Sequence, residues 1–288
     1  MSKDGAHTNI VEGFFSQMRR MQAGCDSTNL FHHEFSICDR YRGGEAASFL
    51  QRSGRQVRFA MQRTASLVVP SGFLEAIFGR HGMPAQVVPN IVDLSLFKPR
   101  ADAVATGGHV VVARNLEPIY DNASALRALA ALRRQMPSAT LTIAGSGPEA
   151  DMLRRLADEL GLADAVRFAG RLDRGEMAKL YRSADVVLNP SKVDNMPNSL
   201  LEALACGVPI VSTDVGGIPF MVQDGKTALL VGAGDHQGMA AALLRVLQDP
   251  ALHRNLVQAG LHEIQRYAWS QVAPQMAAVY RAASAGAR

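Results

Sequence analysis

Asp194 and Glu202 stand eight positions apart in the stretch PSKVDNMPNSLLEALACGVPIVSTDVGGIP, residues 190–219. They flank a Pro197-Asn198 step that reads as a helix start. Proline disfavours helical backbone at Met196, and Asn198 has the side chain of a good N-cap, so the helix is expected from about Ser199. One acid then lies in a loop and the other in the first helical turn. Between them run Asn195, Met196, Pro197, Asn198, Ser199 and Leu200. The first amides of a helix lack intrahelical partners and carry the positive end of its dipole. Carboxylates that accept hydroxyls beside amides that accept an anion suit a sugar hydroxyl, a ribose and a phosphate together. Taken singly, Asp194 reads equally as a turn aspartate and Glu202 as a dipole-stabilising glutamate; the pair around one helix start is what points to binding.

Other polar or glycine-rich points fall just after apolar runs. HVVVAR ends at Arg114, whose guanidinium can grip a phosphate with two parallel hydrogen bonds. LTIAGSGPE carries Gly145 and Gly147, which permit a tight turn and a close ligand approach, although most such pairs merely turn the chain. VRFAGRL ends at Gly170 and Arg171, where backbone could meet a nucleobase edge, although the sequence alone favours an ordinary turn. TDVGGIP places Gly216 and Gly217 before a short segment, again suggesting close backbone–ligand contact.

These points need a scaffold. After a polar stretch at 98–108, the chain alternates strand and helix. The expected strands are 109–114, 139–145, 165–170, 185–191 and 209–214, then TALLVG; two long helices are expected to close the chain. Strands apolar on both faces, alternating with helices, imply a parallel sheet covered on both sides. The fold class is therefore α/β and Rossmann-like, with ligands at the carboxyl ends of the strands. Upstream, LVVPS and AQVVPN read as short strands around a helix GFLEAIFGRHG closed by Gly82. Residues 45–64 read as helical, and 11–22 as a possible helix.

The 288 residues, 48% hydrophobic and 19% charged, describe an ordinary globular chain. A net charge of +4 suits an anionic ligand or a membrane surface, and no nucleic-acid motif accompanies it. Cys25, Cys38 and Cys206 form neither a disulfide framework nor a metal spacing, and Cys206 is expected in the core. No signal peptide or membrane span is visible, so a cytoplasmic setting is the default. No Gly-x-Gly-x-x-Gly is present, which disfavours a Rossmann oxidoreductase.

At these residues the chain resembles the retaining glycosyltransferases of family 4. Their signature is an acid, seven residues, then a glutamate, here Asp194-NMPNSLL-Glu202, continuing ALACGVPIVSTDVGGIPF. LTIAGSGPE, VRFAGRL, YRSADVVLNPS, VVPNIVDLSLFKP and the helix after YAWSQ are also similar, so the resemblance covers about residues 41–283. It implies a GT-B fold of two Rossmann-like domains, with the carboxyl-terminal donor domain complete and the amino-terminal acceptor domain shortened. The expected division is 1–97 for the acceptor side, 98–108 for the linker, 109–266 for the donor domain and 267–288 for a helix returning to the first domain.

The resemblance further implies a nucleoside-diphosphate sugar as donor and a glycan, lipid-linked or small-molecule acceptor. No cofactor and no metal is expected, since no Asp-x-Asp motif appears. Glu202 would bind the ribose, Asp194 and the following backbone the sugar and phosphate, and Arg114 the diphosphate. Peripheral contact with the inner face of a membrane stays open. Three departures stand out. The first acid is Asp194 where the family has glutamate. A second basic residue beyond the arginine is missing, with Ile119 or Tyr120 in its place and Lys192 as a substitute. The first 40 residues match nothing in the family, and YRGGEA (41–46) is a candidate remnant of the amino-terminal phosphate loop. A non-catalytic nucleotide-binding remnant is the alternative reading.

Overall fold

A computed structural model of the protein describes residues 66–99 and 107–285. The expectations for 11–22, 41–46 and 45–64, and most of the polar stretch at 98–108, lie outside the described residues. The main sheet has six parallel strands: β3 (His109–Ala113), β4 (Thr140–Ala144), β5 (Val166–Gly170), β6 (Val186–Asn189), β7 (Ile210–Thr213) and β8 (Leu229–Val231). Their spatial order is β5-β4-β3-β6-β7-β8, so the chain starts in the middle, runs outward, and returns past β3 to build the other half. The crevice between β3 and β6 is therefore the topological switch point, where such sheets bind ligands.

The apolar runs explain the layering. Alternate residues of one strand face opposite sides. Val111, Val187 and Ile210 enter one core with Tyr181, Leu200, Leu201 and Leu204. Val110, Val112, Val186 and Leu188 enter the other with Leu126, Leu129, Leu153 and Leu243. The first core is covered by α4 (Arg174–Ser183) and α5 (Asn198–Ala205), and the second by α2 (Asn122–Arg133), α3 (Ala150–Glu159) and α6 (His236–Gln248). At the amino end of the sheet, Asp185 Oδ2 accepts the amides of Gly107, Gly108 and His109 at 3.1, 2.9 and 2.9 Å, which ties β3 to β6.

Three helices, not two, close the chain: α6, α7 (Pro250–Glu263) and α8 (Trp269–Ala285). Pro250 cannot continue α6, and Asp249 caps α7 by accepting from Ala251 and Leu252 amides at 3.0 Å each. Cys206 is a buried core residue, and burial pushes its thiol up to about 11.

The upstream residues form β1 (Val68–Val69), α1 (Gly72–Arg80) and β2 (Gln86–Val87), with β1 and β2 paired in parallel. Gly82, at φ +69°, follows the helix as expected for a glycine stop. Val88 of this unit packs with Val272 and Val279 of α8, and Val92 donates its amide to the Tyr267 carbonyl at 3.0 Å.

Candidate active site

Arg114 leaves β3 and Asp194 follows β6, so the two arrive on opposite sides of the switch point. Arg114 Nη2 lies 2.6 Å from Asp194 Oδ2, with both side chains about nine-tenths covered. The contact is ionic and lacks hydrogen-bond alignment, since neither atom has a hydrogen-bond partner. Arg114 Nε donates to Asn189 Oδ1 at 2.8 Å, and the guanidinium stands over the Tyr120 ring, 5.4 Å from its centroid. The arginine is thus held by an amide, an aromatic face and a carboxylate.

A buried polar network fixes that amide. Asn189 Oδ1 also accepts from Ser191 Oγ at 2.7 Å, and its Nδ2 donates to Ser212 Oγ at 3.0 Å. Thr213 Oγ1 in turn donates to the Ser191 carbonyl at 2.7 Å. Buried polar groups are retained when their hydrogen bonds are filled. This network makes the ends of β6 and β7 a rigid base for Arg114. Its polar residues, at the ends of the apolar runs VVLN and IVST, are the signal by which Asn189 could have been found.

Asp194–Asn198 is a loop held from below by Gly216 and Gly217. A Cβ on Gly216 would overlap the Asp194 carbonyl, and one on Gly217 the Asn195 carbonyl. Gly217 donates its amide to Asp194 O at 3.0 Å. The two glycines, expected to permit close backbone contact, pack against the acid loop. Gly145 and Gly147 are close-packed in the same way. Added Cβ atoms there would overlap the carbonyls of Arg114 and Leu116, so these glycines let the loop after β4 pack against the one after β3. Gly170, at φ +68°, has nothing within 4 Å of an added Cβ, and Arg171 beside it is exposed. The end of β5 therefore keeps open backbone facing outward.

The helix start differs from the expectation by one residue, and its cap differs in kind. Pro197 is the N-cap of α5, with no side-chain cap hydrogen bond, and Asn198 is the first helical residue. The Asn198 side chain is engaged elsewhere, its Oδ1 accepting from Asn90 Nδ2 at 3.0 Å. Glu202 accordingly lies in the second turn. Among the loop amides, Asn195 N donates to Asp194 Oδ1 at 3.0 Å and Leu200 N to Pro197 O at 3.1 Å. Leu200 is a core residue by its side chain. The amides of Asn198 and Ser199 have no intrahelical acceptor by helix geometry and are the ones aimed outward.

Glu202 is half-buried, and its Oε2 accepts from the Tyr181 hydroxyl at 3.1 Å. Burial raises the Glu202 carboxyl above the usual glutamate range, while the Tyr181 hydrogen bond, Arg174 and Arg114 pull it back down. Tyr181 is fully buried, and desolvation beside Glu202 raises its phenol well above the usual value. It therefore acts as a fixed neutral donor that orients one carboxylate oxygen. Phe97 packs edge-on against its ring at a centroid distance of 6.2 Å.

Tyr120 is one of the two residues expected in the place of the missing basic residue, and burial raises its phenol. The neighbouring Ile119 is buried, and its carbonyl accepts the Lys192 amide at 2.9 Å. Lys192 Nζ lies 3.7 Å from Asp121 Oδ1 and is 44% exposed. Sequence reasoning also missed Ser71 and Asn90, which reach the acid loop from the β1–β2 unit. No local pattern marks them, since their partners lie 124 and 106 residues away. Among the described residues, no group of three or more His, Cys, Asp or Glu could hold a metal ion.

An ordered arginine, a helix start and two carboxylates meet at the switch point of a Rossmann-like α/β sheet. The comparisons name the family. Residues 105–263 match the family described as glycosyl transferases group 1, and the chain belongs to it. It is 30% identical over 258 residues to a D-inositol 3-phosphate glycosyltransferase of Segniliparus rotundus, covering 84% of this chain and 58% of that protein. Sucrose-phosphate synthase from Thermosynechococcus elongatus superposes with a TM-score of 0.70 at 28% identity, over 87% of this chain and 64% of that one. Anabaena Alr3699/HepE, in complex with UDP-glucose, shares the fold with a TM-score of 0.69 at 22% identity, over 75% of this chain and 64% of that one. The fold is thus of the GT-B type, and the chain spans a little over half the length of that inositol-phosphate relative.

Proposed function

We propose that the protein is a retaining family 4 glycosyltransferase, moving a sugar from a nucleoside-diphosphate sugar to a glycan, lipid or small-molecule acceptor. The observation that carries this reading is the meeting of Arg114 and Asp194 at 2.6 Å beside the start of α5, with Glu202 one turn further on. The amides of Asn198 and Ser199 and the Arg114 guanidinium face the diphosphate, which leaves as the anomeric bond breaks. Charge developing on that phosphate is stabilised electrostatically. Glu202, oriented by Tyr181, accepts the ribose hydroxyls. Asp194 and the Asn195–Met196 backbone take the sugar, and the open end of β5 at Gly170-Arg171 takes the base. No metal takes part in this scheme.

The domain division that goes with it is 1–97 on the acceptor side, 109–266 for the donor and 267–288 as a returning helix. UDP-glucose in the Anabaena complex and the inositol phosphate in the Segniliparus protein's name support a nucleotide donor and a hydroxylated acceptor. Placement is cytoplasmic or at the inner membrane face; no helix among the described residues is long and apolar enough to cross a membrane. The test is incubation of purified protein with labelled nucleotide sugars and a panel of lipid and glycan acceptors. Transfer or donor hydrolysis supports the reading, and neither from a folded protein sinks it.

A second reading, a nucleotide-binding protein without turnover, draws on Tyr120. It and Ile119 are the uncharged residues at the stretch where the family's second cation is expected. Nucleoside-diphosphate binding with no sugar release would favour it.

A further inference from the structure

The acid loop is gripped from a part of the chain that lies outside the six-stranded sheet. Asn90 follows β2, and both hydrogens of its side-chain amide are used: Nδ2 donates to the Met196 carbonyl and to Asn198 Oδ1, at 3.0 Å each. Its own backbone amide faces Met196 Sδ at 3.3 Å. Ser71 follows β1 and donates its hydroxyl to Asn195 Oδ1, while the same oxygen caps α1 by accepting from Leu74 N at 3.4 Å. Ser71 is buried. The carboxyl ends of β1 and β2 thus each send one polar side chain into the same four-residue span, 195–198. On the opposite side the loop rests on Gly216 and Gly217, with no room for a Cβ on either.

We propose that Ser71 and Asn90 are positioning residues for donor binding, so that the Asp194–Asn198 loop takes its binding geometry only when clamped between the β1–β2 unit and the Gly216-Gly217 turn. The inference rests on the function proposed above. It extends that reading by making the donor site a joint product of two parts of the chain. The physical reason is that a short loop has little stiffness of its own, and fixing its backbone costs conformational entropy. Groups that must meet a sugar and a phosphate at fixed distances need that cost met before the ligand arrives. Asn90 does this twice over, donating to the Met196 carbonyl and to the Asn198 side chain.

Asn90→Asp tests the proposal. It keeps the size of the side chain but turns a double donor into a carboxylate facing two oxygen acceptors. The probes are UDP, GDP and ADP, titrated by calorimetry well below the melting temperature. The control is Val272→Ala, which loosens the packing of α8 against Val88 without touching the loop. The expected result is about a ten-fold or greater loss of nucleotide affinity in Asn90→Asp, the consequence of losing two ordinary hydrogen bonds. Val272→Ala, although less stable, binds as the wild type does. Ser71→Thr, which keeps the hydroxyl, binds normally, whereas Ser71→Ala follows Asn90→Asp. Unchanged affinity in Asn90→Asp, or an equal loss in Val272→Ala, overturns this inference alone. A wild-type protein that binds none of the three nucleotides overturns the function reading along with it.

Discussion

The Arg114 guanidinium and the Asp194 carboxylate lie 2.6 Å apart. In the proposed function an incoming diphosphate competes with Asp194 for that cation. Asp194→Asn should free Arg114 and tighten binding of the nucleoside diphosphate alone, by up to about five-fold if the pair is worth roughly 1 kcal/mol. The same variant loses its preference for the sugar-bearing nucleotide, since the acid assigned to the sugar is gone. Calorimetry with a nucleoside diphosphate and its sugar conjugate measures both effects.

Arg114→Lys should weaken diphosphate binding, although it keeps the charge. A lysine cannot donate to Asn189 and stack on Tyr120 while also reaching a phosphate in a planar fork. Arg114→Ala should also destabilise the fold, by about 3 kcal/mol at most, because it strands a largely buried Asp194. Thermal melts separate the two variants.

The raised Glu202 carboxyl gives a pH dependence with a defined sign. Its proton is held more tightly in the folded protein than in the unfolded one. Its contribution therefore favours folding at low pH and is lost as the pH rises through the folded value. Ribose binding runs the other way, because it needs the ionised form. Donor affinity should fall on acidification at a higher pH than for an ordinary glutamate. Glu202→Gln should melt at a higher temperature than the wild type at neutral pH, with the gap closing as the pH drops, and should lose most nucleotide affinity.

Tyr181→Phe removes the hydroxyl that stabilises ionised Glu202. The midpoint of the acid-side loss of donor binding should move to higher pH. A cost of about 1 kcal/mol in stability is expected from the lost hydrogen bond. A pH series of titrations that superimposes on the wild type would refute the orienting role.

Much of this was readable along the chain. The central strands β3, β6 and β7 are short, largely apolar and buried runs, and that pattern identifies a buried parallel sheet without further help. The positions of Arg114 and Asp194 at strand ends followed from it. The glycines were legible as tight places but not as tight against what. The Gly216-Gly217 turn meets the Asp194 loop across 22 residues, and sequence spacing carries no such information. Asn198 shows the same limit: a good cap by type became the first helical residue, and its side chain meets Asn90, 108 residues away. Tyr181 carried no signal in the sequence, and only the structure shows its contact with Glu202.

The central claim is that one crevice, between Arg114, Asp194, the start of α5 and Glu202, holds a nucleoside-diphosphate sugar. Titration of UDP-, GDP- and ADP-linked sugars into the wild type and Glu202→Ala, with melting curves recorded alongside, tests it most directly. Saturable binding of at least one donor by the wild type is predicted, with at least about a ten-fold loss in a Glu202→Ala protein that remains folded. No binding by a folded wild type, or equal binding by the variant, would contradict it.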